Sequence, residues 1–158
     1  MQRRRRGFTF IEMLATLAII AILTSICLPL AEVSAQRNKE EDLRLALRQI
    51  RNALDAYKQA GDEGKILRKA DESGYPRTLQ LLADGVEDLR SPAHAKIYFL
   101  RRVPRDPFYA GPEAPAEQTW GKRSYASPPD APREGADVFD VYSMSNGIGL
   151  NGVPYREW

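Results

Sequence analysis

The sequence predicts an α+β protein: a long amino-terminal helix, apolar in its first half, whose second half packs on a small carboxy-terminal antiparallel sheet. Three observations carry this expectation. Residues 8–30 form an apolar run in which Glu12 is the only charge. Residues 31–60 contain no glycine or proline and place apolar side chains at helical spacing. Of the 11 prolines, all but Pro29 lie beyond residue 60, among short segments of alternating apolar character. A helix laid across a small sheet is the economical way to bury the apolar face of each.

The totals bound the function. A chain of 158 residues suits one domain of roughly 100–150 residues with an appendage. The formal charge of +2 is unevenly distributed, because four of the 23 basic residues fall within Arg3 to Arg6, leaving 19 basic against 21 acidic residues in the rest. A slightly acidic body lacks the clustered basic face that nucleic-acid binding needs, so no nucleic-acid partner is expected. Cys27 is the sole cysteine, which excludes an intrachain disulfide. Lying inside the apolar run, it reads as a small packing residue.

The first element spans Phe8 to Leu30, 23 residues that reach across a hydrocarbon core of about 30 Å at ~1.5 Å per helical residue. Arginines before it hold that end in the cytoplasm and direct the rest of the chain across the membrane. Three readings share these facts. One is a cleaved secretory signal with Val33-Ser34-Ala35 as the cleavage region, or its twin-arginine variant at Arg5-Arg6-Gly7-Phe8; the apolar run is long for either, and a glutamate near its start serves neither. A second is a plain signal anchor. There Glu12 snorkels to the interface and avoids most of the roughly 2.5–3.5 kcal/mol charged by a central position.

The third reading uses every feature. A basic leader ending in Gly7, then Phe8-Thr9-Phe10-Ile11-Glu12, then an apolar helix interrupted at Pro29, resembles the class III signal of type IV pilins and type II secretion pseudopilins. The resemblance implies that a prepilin peptidase cuts after Gly7, that Phe8 becomes the first mature residue and is N-methylated, and that Glu12 serves assembly. The physical account is direct. Cutting the Gly7-Phe8 bond frees a cationic amine, and a carboxylate one turn along can pair with it or with a neighbouring subunit's amine. The helix dipole favours an acid in the first turn by about 0.3–1 kcal/mol. An unpaired charge inside a filament core is heavily penalised, so amine and acid fix the axial register of the subunits. Pro29 removes a backbone donor and clashes with the preceding turn, at about 3 kcal/mol in a helix interior, marking a kink or weak point.

The second half of the helix follows from spacing. Leu43, Ala46, Leu47, Ile50, Ala53, Leu54 and Tyr57 recur at three- and four-residue steps, with Arg44, Arg48, Arg51 and Asp55 on the other side. That is one buried face, ending near Gly61. If it continues the anchor, residues 8–60 make one rod of about 80 Å. Gly61-Asp62-Glu63-Gly64 reads as a turn. A short helix is expected over Thr78 to Ala83, with Thr78 as cap after Tyr75-Pro76, and SGYPRTLQLL resembles the segment that starts the second helix in G-type pseudopilins. Expected strands are Lys96 to Arg101, Arg123 to Ser127 and Asp137 to Met144, with turns at Pro128-Pro129-Asp130 and Ser145-Asn146-Gly147. The order matches the pilin fold.

Catalytic patterns are lacking. His94, the only histidine, has no cysteine partner in the soluble part, YSMSNG lacks the nucleophile elbow, and no H-E-x-x-H, paired C-x-x-C or P-loop occurs. A non-enzymatic protein is expected. Asp137, Asp140, Asn146 and Asn151 bring oxygen donors into a glycine-rich tail, the type of donor calcium prefers. G-type pseudopilins resemble this tail and hold calcium there with acidic side chains; here Asn146 and Asn151 stand where acids are expected, and the alternative is a hydrogen-bonded Asn-Gly turn locking the last strand. Asp106-Pro107 is separated from Trp120-Gly121 by FYAGPEAPAEQT, which resembles an insertion splitting the family's Asp-Pro-Trp-Gly segment. Trp120, Trp158, Tyr142 and Tyr155 are expected as core or loop anchors.

The expected organisation is a cytoplasmic leader 1–7, a transmembrane and filament-core helix 8–30, and a periplasmic domain 31–158 whose helical part is 31–60. The resemblance implies a pseudopilus subunit of type II secretion in the inner membrane. Its implied partners are its own copies, minor pseudopilins, the prepilin peptidase, and an inner-membrane platform protein driven by a cytoplasmic ATPase. A type IV pilus pilin for adhesion, motility or DNA uptake is the alternative, followed by a signal-peptide-bearing periplasmic protein.

Overall fold

The computed structural model describes residues 8–69 and 72–158; Gly7 and the rest of the leader lie outside them. Helix α1 spans Phe10–Asp62, α2 Gln80–Asp84, and four strands follow: β1 Val86–Glu87, β2 Lys96–Ile97, β3 Trp120–Arg123 and β4 Asp140–Ser143. Short 3-10 turns occupy Ala116–Thr119 and Tyr155–Glu157. The class is α+β, as expected.

The chain divides into a unit ending at Asn38 and a unit Lys39–Trp158, and α1 contributes to both. In the first unit, every side chain described from Phe8 to Leu30 is exposed. Helix α1 runs on through Pro29. This is the one helix among the described residues long and apolar enough to cross a membrane, and no described side chain of its apolar first half is buried.

The second unit holds the core. Leu43, Ala46, Leu47, Ile50, Ala53 and Leu54 of α1 are buried with Leu79, Leu82, Val103, Trp120, Val138, Val141 and Tyr155, so the period read from the sequence is the period of burial. Tyr57 packs against this cluster and meets the Phe99 ring edge-on at 5.4 Å. Past the helix, the Gly64 amide donates to the Gly61 carbonyl at 3.0 Å, and Gly64 adopts φ +68°, a conformation that glycine enters without steric cost.

The second helix starts later than expected, at Gln80, yet the Thr78 hydroxyl still accepts from the Leu81 amide at 3.3 Å. The Glu117 carboxylate adds a contact across the fold by accepting from the Leu79 amide at 3.1 Å. Strand positions differ more. Lys96 to Arg101 supplies only the two residues of β2, paired antiparallel with β1, because Phe99 and Leu100 turn their amides onto the Leu82 carbonyl at 3.0 Å each. Arg123 to Ser127 is not a strand: β3 ends at Arg123, and beyond it the Ser127 amide closes a turn on the Ser124 carbonyl at 3.0 Å. The strand lies earlier, in Trp120–Arg123, paired antiparallel with β4 so that Gly121 faces Tyr142. Two separate two-stranded pairs form in place of one continuous sheet.

Gly121 shows how closely that pairing packs. A Cβ there would meet the Tyr142 ring at 2.3 Å, so the ring lies directly over the glycine. This is the close approach that a glycine in a strand permits.

Candidate functional site

At the start of α1, Thr9 and Glu12 cap each other. The Glu12 amide donates to the Thr9 hydroxyl at 3.3 Å, and the Thr9 amide donates to the Glu12 carboxylate at 3.4 Å. This is the reciprocal capping box of a threonine and a glutamate three positions on. The sequence carries the signal for this cap as Thr9-Phe10-Ile11-Glu12, in addition to the carboxylate's charge. The Glu12 carboxylate is thereby aimed back along the chain toward Thr9. Phe8 and Phe10 are about four-fifths exposed, and Ile11, Leu17, Ile20 and Ile22 remain mostly exposed. So large an apolar surface is stable only against a bilayer or against other apolar helices.

The carboxy-terminal residues are arranged differently from the expected metal shell. The Asp137 carboxylate accepts from the Ser124 hydroxyl at 2.7 Å and the Tyr125 amide at 2.9 Å. Burial works against its charged form, but hydrogen bonds from Ser73, Ser124 and the Tyr125 amide outweigh that and hold its pKa below the ordinary value. Asp140 is engaged elsewhere: the Arg51 Nε donates to it at 2.8 Å, and an Arg123 guanidinium nitrogen lies 3.5 Å from its other oxygen. Asn146 is exposed. The Asn151 side-chain oxygen accepts from the Val153 amide at 3.1 Å, a local Asx turn. Asp137, Asp140 and Asn151 thus serve separate partners, and among the described residues no group of three or more histidine, cysteine, aspartate or glutamate side chains is placed to hold a metal. Calcium needs six to eight oxygens gathered around one point, and these residues do not fit it.

Two residues organise this end: Glu40, which spacing alone did not single out, and Arg51, which was expected on the side away from the buried face but is partly buried at its edge. Glu40 is buried at 3% exposure, and its Oε1 accepts from the Leu150 amide at 2.8 Å and the Tyr155 hydroxyl at 3.0 Å. Arg51 reaches the Val141 carbonyl at 3.3 Å and the Trp158 carbonyl at 2.8 Å in addition to Asp140. Glu40 precedes Leu43 by three and Leu47 by seven, so it shares the apolar face of α1, and that placement was the available clue.

The split segment is closed by its own ends. The Asp106 amide donates to the Thr119 hydroxyl at 3.1 Å, and the Trp120 indole donates to the Pro104 carbonyl at 2.8 Å. Buried Asp106 accepts from the Ser143 hydroxyl at 2.6 Å and the Phe108 amide at 2.8 Å. The residues between are stitched back by Arg105, which donates to the Ala114 and Gly111 carbonyls. Trp120 is a core residue, Tyr155 is buried and stacks on Phe108 at 4.1 Å, and Trp158 packs against the same cluster. His94 is an exposed loop residue with φ +53°, paired with Glu87. No cysteine or serine stands with it as a nucleophile among the contacts described.

Comparison with known proteins agrees with this geometry. Residues 2–28 match the family described as "Prokaryotic N-terminal methylation motif". The type II secretion system core protein G of Dickeya chrysanthemi is 29% identical over 161 aligned positions, covering 96% of this chain and 95% of that relative. The core protein G of Escherichia coli (strain K12) is 33% identical over 113 positions, 66% of this chain and 68% of its own length. That of Klebsiella pneumoniae is 29% identical over 110 positions, 67% of this chain and 71% of its own length. No solved structure matches significantly. With a methylation-type amino terminus, an exposed apolar helix and an α+β body aligned nearly end to end with such a relative, the chain belongs to the type II secretion system core protein G family.

Proposed function

We propose that this chain is a structural subunit of a pseudopilus, the filament of type II protein secretion, and that its work is mechanical. The observation that carries the reading is the apolar stretch 10–30 of α1, in which every described side chain is exposed and Glu12 is the single charge. Such a helix is costly in water and suits two environments in turn, a bilayer before assembly and the packed helices of other subunits after it.

In this reading a prepilin peptidase cuts between Gly7 and Phe8, the new amino terminus is methylated, and the subunit waits as a single-pass protein of the inner membrane with its carboxy-terminal unit in the periplasm. The new amine lies one helical turn from Glu12, whose carboxylate already points back toward Thr9. During assembly a neighbouring subunit's amine competes with the Thr9 amide for that carboxylate, and the ionic partner is the stronger. Minor pseudopilins and a membrane platform protein complete the partners, and no catalytic step is required of the chain.

Intact-mass and peptide mass spectrometry of the native protein tests the processing. A chain beginning at a methylated Phe8 is expected, whereas one beginning at Gln36 would remove the helix and the proposal with it. The Glu12→Ala variant should insert normally yet fail to give crosslinked filament ladders; ladders at the wild-type level would remove the pairing role.

A further inference from the structure

We propose that the carboxy-terminal segment of this protein is fastened by a cation of its own, the Arg51 guanidinium, so that the domain folds independently of divalent metal. The convergence of oxygens is the key observation. Asp140 Oδ1 at 2.8 Å, the Trp158 carbonyl at 2.8 Å and the Val141 carbonyl at 3.3 Å all accept from Arg51. One carboxylate and two carbonyls around a single centre are the kind of set a hard cation gathers. Here the planar fork of a guanidinium takes them. The second arginine beside Asp140, Arg123 at 3.5 Å, leaves that carboxylate with two positive neighbours and further opposes a dication there.

The fastening has a second point. Glu40 holds the Leu150 amide and the Tyr155 hydroxyl, and it precedes Arg51 by 11 positions, about three helical turns on the same side of α1. Between these points the Arg44 guanidinium lies over the Trp158 ring, 4.3 Å from its centroid. The tail is therefore clamped along α1 by an acid at one end and a base at the other. The asparagines at 146 and 151 fit this arrangement, because a loop locked by protein groups has no use for extra acidic ligands.

The test is hydrogen exchange followed by mass spectrometry on the full-length protein in detergent micelles, with about 1 mM calcium or with EDTA. Residues 141–158 should exchange identically in both conditions. Arg51→Ala should speed exchange in that segment by about tenfold or more while residues 43–54 of α1 stay protected, and calcium should not restore it. Should Arg51→Ala fail to fold, Arg51→Lys replaces it, and the same selective loosening is expected because a single ammonium nitrogen lacks the spaced Nε and Nη2 donors that reach Asp140 and the two carbonyls. Slower exchange of the wild-type tail in calcium, or an unchanged tail in the arginine variant that folds, would overturn the proposal.

Discussion

Asp106→Ala should be among the most damaging single changes in the carboxy-terminal unit. The carboxylate is 3% exposed and Ser143 is fully buried. Its two oxygens satisfy the Ser143 hydroxyl at 2.6 Å and the Phe108 amide at 2.8 Å. Alanine leaves both donors without that acceptor, and an unsatisfied buried donor costs about 1–3 kcal/mol. The expected loss is therefore about 2–6 kcal/mol, a large part of a domain stability of roughly 5–15 kcal/mol. Asp106→Asn keeps one oxygen of the same shape and should lose about half as much. Urea unfolding of the full chain in micelles, followed by tryptophan fluorescence, measures all of these. Ser143→Ala and the double variant complete a cycle, with an expected coupling of about 0.5–3 kcal/mol. If Asp106→Ala unfolds within about 0.5 kcal/mol of the wild type, the range of ordinary surface changes, then the ends of the split segment are not joined through this carboxylate and the account of its closure is wrong.

Two further predictions concern other sites. Because the Asp137 pKa is held below its ordinary value in the folded chain, its contribution is complete above the unfolded pKa of about 4, and fades as pH falls through the lower folded value. Melting curves should therefore show wild type exceeding Asp137→Asn at pH 7, with the gap closing in acid; a gap that widened in acid would contradict the shift. Gly121→Ala should destabilise by about 1–3 kcal/mol, since its Cβ would fall 2.3 Å from the Tyr142 ring. The same change in a Tyr142→Ala background should cost much less, and an undiminished penalty there would place the requirement in the backbone instead.

What the sequence displayed well was periodicity. The buried face of α1 was readable because seven apolar side chains repeat over four turns, and helical spacing is a local property. The strands were harder to read, as β1 and β2 are two residues long and are defined by their partners. Trp120-Gly121 resembles a fragment of a family motif, and nothing local in it marks these two residues as the opening of β3. At the tail, composition suggested a metal because aspartates and asparagines fall close together in sequence. Their actual partners are set by the fold: Arg51 stands 89 positions from Asp140, a distance no local pattern spans. At the amino terminus, by contrast, both the charge and its cap lie within four residues, and the sequence held nearly all that the geometry later displayed.

The stitched loop between Asp106 and Trp120 also has a practical side. Its two ends are tied to each other through Asp106 with Thr119 and through Pro104 with Trp120, while Tyr109 to Pro115 form an outward excursion that contributes nothing to the buried cluster. Length and chemistry there are free to vary while the frame beneath stays sewn shut. It is the natural seam for grafting an epitope or fluorophore, giving the filament a visible marker on each protomer.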